Sequence, residues 1–154
     1  QITGVYQGYQ VQIETFCNEE RFRNNSYTSV KLSLKRKIKI PHLRIEPRRD
    51  QFFKTFFLKN DAYLQENDLT QRFEIKSRSQ KFTTYLFSSK EFCQALYQTL
   101  LPKIKKLGEP KITITTGEVL YWQRNCYALQ SQQDLKEMLE LLNIIANHIE
   151  KALN

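Results

Sequence analysis

The chain of 154 residues and 18.4 kDa fits one domain and leaves no room for two comfortable cores. Its 40% hydrophobic content, with ten Phe and eight Tyr, is enough to bury a real core and excludes wholesale disorder. Lys and Arg number 24 against 16 Asp and Glu, and the resulting net charge of +8 directs attention to anionic partners.

The first third alternates apolar and polar residues at period two and is rich in Val, Ile, Thr and Tyr, which predicts strands. Gly4 to Gly8 followed by Tyr9 to Glu14 reads as one strand turning tightly into the next, with Gly8 near the turn. From Tyr27, Val30, Leu32 and Leu34 share one face while Lys31, Ser33 and Lys35 share the other. Ile38, Ile40, Leu43 and Ile45 continue the pattern across Pro41, which lacks a ladder donor and marks a bulge, an edge or a break. Phe52 to Leu58 is an aromatic run of strand length, a polar loop follows through Asp68, and Arg72 to Lys76 alternates again.

Ser88 and Glu91 stand in capping-box spacing and predict the first helix, with Phe92, Leu96 and Leu100 on one stripe. Pro102 should kink or end it, with Gly108 as the closing cap of the segment beyond. Ile112 to Thr115 and Val119 to Trp122 flank Thr116-Gly117-Glu118 as a hairpin. A last helix starts near Ser131, with Asp134 as a variant capping box, and runs to about Ala152. Leu135, Met138, Leu139, Leu142, Ile145, Ala146 and Ile149 form its apolar stripe, widened by Leu141 and Ile144. The expected architecture is a single α+β domain over residues 1–154, with six to eight mostly antiparallel strands and two helices.

The positive charge is local. Residues 31–54 hold nine basic side chains against two acidic ones, while the other 130 residues hold 15 against 14. The surplus falls on what reads as a strand pair and its following loop. Lys31, Lys35, Arg36, Lys37, Lys39, Arg48 and Arg49 are the candidate anion-contacting residues, with Arg36 at the bend. The same charges suit phosphates of a nucleic acid, the acidic face of a membrane or an acidic protein. Lysines on a sheet also serve simply to keep edges from pairing. Nucleic-acid binding would add aromatic residues interleaved with the cations on the exposed side.

Chemistry for catalysis is sparse. The two histidines, His42 and His148, have no companion at metal-ligand spacing, and the chain lacks G-x-S-x-G, Walker-type and dinucleotide-binding glycine motifs. A non-enzymatic interaction or sensory domain without metal or cofactor is therefore expected. Cys17, Cys93 and Cys126 are few, odd in number and widely spaced, which reads as buried free thiols in a reducing, cytoplasmic setting. The sequon Asn24-Asn25-Ser26 would matter only in a secreted chain. Gln1 opens the chain and Met138 is its one methionine, so a fragment of a longer protein is expected.

Thr3-Gly4-Val5-Tyr6-Gln7-Gly8-Tyr9-Gln10-Val11-Gln12-Ile13 resembles the opening of a family of uncharacterised bacterial domains that often follow transmembrane helices. Lys59-Asn60-Asp61 and Leu69 to Ile75 resemble a second segment of that family, with Asn60 in place of its glycine and Thr70 in place of its aspartate. The resemblance implies the order helix, hairpin, helix after the strands and attachment to a membrane through a preceding segment. It implies no activity.

Overall fold

The computed structural model describes residues 1–17, 26–36, 39–47, 73–107, 110–124 and 131–152. The predicted strand at 52–58 and loop at 60–68, Gly108, Asn24 and Asn25 of the sequon, and Cys126 lie outside the described residues. Among the described residues ten elements are defined. The strands are β1 (Ile2–Tyr6), β2 (Tyr9–Phe16), β3 (Tyr27–Ser33), β4 (Leu43–Pro47), β5 (Phe73–Ser77), β6 (Lys111–Thr115) and β7 (Glu118–Gln123). The helices are α1 (Gln80–Phe87), α2 (Lys90–Leu107) and α3 (Gln132–Ala152). The strands form one fully antiparallel sheet in the order β1-β2-β3-β7-β6-β4-β5.

The α+β class and strand number agree with the sequence reading, but among the described residues the helices number three. The additional one, α1, has Ser79 as its N-cap, whose Oγ accepts the Phe82 N–H at 3.2 Å. Ser88 closes α1 through its backbone N–H, and the N-terminal cap of α2 is the next residue, with Ser89 Oγ accepting the Phe92 N–H at 3.2 Å. The capping box expected between Ser88 and Glu91 is thus replaced by two caps placed back to back. Pro102 does not end α2, which continues to Leu107. Phe92, Leu96 and Leu100, all fully buried, hold the preceding turns against the core. The start of α3 is as expected: Asp134 N–H donates to Ser131 Oγ at 3.0 Å and Ser131 N–H returns to Asp134 Oδ2 at 3.2 Å.

A second correction concerns β3 and β4, which are not partners. The β6–β7 hairpin lies between them: β3 pairs with β7, and β4 pairs with β6 and β5. The described residues of the connecting segment, 34–36 and 39–42, arch around the hairpin tip. Leu34 N–H donates to the Gly117 carbonyl at 2.8 Å, and Ile40 N–H donates to Thr116 Oγ1 at 3.3 Å. Gly117 supplies the positive φ, 88°, that this turn requires. Opening the pair in this way lets apolar β6 and β7 take central positions, where Ile112, Ile114, Val119 and Tyr121 become fully buried.

One face of the sheet carries the core. Tyr9, Val11, Val30, Leu32, Leu43, Ile45, Phe73 and Ile75 meet the apolar sides of the helices, and α3 packs on β3 and β7. Met138, Leu141, Leu142, Ile145, Ala146 and Ile149 are buried along α3. Period two then directs the alternate residues of every strand to the opposite face. Gln7 and Gly8, with φ of 49° and 84°, make the two-residue turn between β1 and β2.

The cysteines need a third correction. Cys17, just past β2, is exposed and disulfide-bonded, and Cys93 is a free, half-buried thiol whose pKa burial raises. Linear spacing does not reveal which thiols meet in the fold.

Candidate anion-contacting surface

The seven foreseen basic residues do not converge. Lys31 lies mid-way along β3 on the face away from the helices, opposite Gln12 of β2 and Leu120 of β7. With Thr3, Val5, Gln10, Gln12 and Ser33 it lines a shallow depression of about 390 Å³. Among the described residues Lys31 has no ion-pair partner. Hydroxyls, amides and one free ammonium therefore converge over three adjacent strands.

Lys35 has left that face. β3 ends at Ser33, the chain bends, and Lys35 Nζ sits 4.5 Å from the centre of the Tyr9 ring, on the core side of β2. Its backbone N–H donates to Glu150 Oε1 on α3 at 2.7 Å. Tyr9 in turn donates its hydroxyl proton to Asn147 Oδ1 at 2.9 Å. Burial, aided by the Glu150 carboxylate, pushes the Tyr9 phenol up to about 12. Lys35 therefore works as part of the joint between β2 and the end of α3. Arg36 is exposed on the bend, and Lys39 is exposed farther along the arch. Lys37, Arg48 and Arg49 lie outside the described residues.

The open face holds further cations. Arg44 and Lys76, adjacent across β4 and β5, are occupied by Glu46 and Glu74: Arg44 Nη2 lies 2.6 Å from Glu46 Oε2, and Lys76 Nζ lies 3.2 Å from a carboxylate oxygen of each acid. Burial pushes the Glu46 carboxyl up, but hydrogen bonds from Lys76 and Arg44 outweigh it and hold the group below its ordinary value. The hydrogen bond to Glu46 raises Lys76 against an opposing effect of burial.

Aromatic side chains share this face. Phe16 and Tyr27 are register partners whose rings stack with centroids 5.7 Å apart. Trp122 is half-buried on β7, with Lys111 Nζ 5.0 Å from its centre. Phe16 is 46% exposed. The aromatic and cationic residues are therefore interleaved across β2, β3, β7 and β6, although they are scattered in sequence. Glu14, hydrogen-bonded to Tyr27, is an acid within the same group.

His148 behaves as a helix clamp. Its Nε2 lies 2.7 Å from Ser89 Oγ, and its Nδ1 lies 2.8 Å from the Ile144 carbonyl. Ser89 also caps α2, so this contact ties the start of α2 to the end of α3. Among the described residues no group of three or more His, Cys, Asp or Glu is arranged to hold a metal, and no helix is long and apolar enough to cross a membrane. No known protein family, curated protein or solved structure matches the chain.

Proposed function

We propose that this is a non-enzymatic interaction domain, part of a longer, membrane-attached bacterial protein, which contacts an anionic partner through the open face of its sheet. The observation that carries the reading is Lys31, unpaired among the described residues, in a depression lined by Thr3, Gln10, Gln12 and Ser33. Charge-assisted hydrogen bonds to a surface anion are the interaction such a set of donors offers. The membrane attachment rests on the family resemblance alone. A disulfide at Cys17 removes the free-thiol reason for placing the chain in the cytoplasm, and the redox state of that residue in cells reports the compartment.

A second reading, single-stranded nucleic acid, is favoured by Phe16, Tyr27 and Trp122 on the face that holds Lys31 and Lys111. Stacking of bases on such rings adds to phosphate contact. Trp122 is the sole tryptophan, so its fluorescence reports directly on occupancy of this face.

The test is flotation with vesicles of anionic or neutral lipid, in parallel with titration of a single-stranded oligonucleotide at low and high salt. The first reading expects flotation with anionic vesicles only, lost in a Lys31→Glu/Arg36→Glu double variant of unchanged melting temperature. The second expects quenching of Trp122 by the oligonucleotide that weakens with salt and is not competed by lipid. Binding that survives the double reversal leaves the basic residues as solvated surface and ends both readings.

A further inference from the structure

A second depression opens where β5, β4 and β6 end together. Arg78 N–H donates to the His42 carbonyl at 3.2 Å, which extends the β4–β5 ladder one step past the Leu43–Ser77 pair. Thr115 follows Ile114, the partner of Leu43 on β6, so Arg78, His42 and Thr115 form one row across three strands. The arch brings Lys39 to this row, and the hairpin tip brings Thr116. Together with Ile40 and Pro41 they line a cavity of about 610 Å³.

Among the described residues its lining contains Lys39, Arg78 and His42 and no acid. Among the described residues neither Lys39 nor Arg78 is paired with a carboxylate, in contrast to Arg44 and Lys76 beside them. Two permanent cations facing a common space repel each other, and an anion between them relieves the repulsion. The guanidinium offers a planar fork, the ammonium a compact charge, and two threonines add hydroxyls. This donor set suits a doubly charged tetrahedral oxyanion better than a carboxylate, which one arginine satisfies. Ile40, buried at 6% exposure, and Pro41 supply an apolar wall. The volume falls within the range of small-molecule sites and exceeds what a bare phosphate fills.

The geometry points to a binding site for the phosphate monoester of a small organic molecule, with the phosphate held by Arg78, Lys39 and the threonine hydroxyls and the organic body against Ile40 and Pro41. The site goes beyond the sheet-face reading, with which it shares the anionic chemistry but no residue used in that test.

Calorimetric titration with phenyl phosphate, inorganic phosphate and phenol tests it, with backbone amide shifts mapped by NMR. Phenyl phosphate is expected to bind more tightly than inorganic phosphate, phenol not at all, with the largest shifts at Arg78, Thr115 and Thr116. A Lys39→Gln/Arg78→Gln variant of unchanged melting temperature weakens binding at least tenfold, while Lys31→Glu leaves it unaltered. Unchanged affinity in the Gln variant, or shifts mapped elsewhere, overturns the site. Equal affinity for inorganic phosphate overturns the organic ligand. Absence of binding by either phosphate at millimolar concentration, with vesicle or oligonucleotide binding intact, removes this pocket alone; loss of all of them removes the anion-binding reading as well.

Discussion

Replacing Tyr9 by Phe removes one oxygen from the joint between β2 and α3 and keeps the ring. The hydroxyl donates to Asn147 Oδ1 at 2.9 Å, while the ring faces Lys35 Nζ at 4.5 Å and retains that contact in the variant. The loss at neutral pH is therefore one neutral hydrogen bond, about 1 kcal/mol. For a chain of this length it lowers the melting temperature by roughly 2–4 °C. Alkaline pH reverses the order. The folded state holds the Tyr9 proton up to about 12 against the ordinary phenol value of 10.0, so between these values the folded protein binds more protons than the unfolded one. Stability from this group is complete below pH 10 and falls as pH rises towards 12, by at most about 3 kcal/mol. Phe has nothing to titrate. The variant is thus less stable than the parent at pH 8, equal to it near pH ~11 and more stable above that. Urea unfolding of both proteins from pH 8 to 11.5 measures the difference, in which Tyr121 and the other tyrosines cancel. A difference that stays constant over this range refutes the buried, α3-linked phenol.

Leu142, fully buried on α3, should cost about 2–5 kcal/mol when replaced by Ala, whereas exposed Lys136→Ala on the same helix should stay within about 0.5 kcal/mol by chemical denaturation; similar losses for both contradict the buried stripe. Reduction of the disulfide at Cys17 should lower stability by about 2–4 kcal/mol, read as a lower melting temperature in reductant, and an intact mass that reports three free thiols before reduction removes its basis.

The local elements were legible because each is governed by short-range rules. Gly8 and Gly117 marked turns that need positive φ, Ser131 and Asp134 marked a helix start, and alternation from Val30 to Leu34 placed those residues in the core and Lys31 on the opposite face. The helix α1 escaped because its apolar signal is only Phe82, Leu86 and Phe87, and Ser79 as a cap three residues before Phe82 was the cue that marked it.

Strand order was beyond sequence alone, because period two says which face a residue takes and nothing about which strand lies alongside. Only the tertiary structure inserts the β6–β7 hairpin between β3 and β4, and that one choice redistributes the charge. Lys35 leaves the basic set for the aromatic ring of Tyr9, Lys39 shares a depression with Arg78 just past β5, and Lys31 sits between Gln12 of β2 and Leu120 of β7. The sequence by itself determined that a surplus of positive charge lies within residues 31–54. Where that charge is free and where it is spent on packing depended on contacts distant along the chain, which only the folded sheet and its helices bring together.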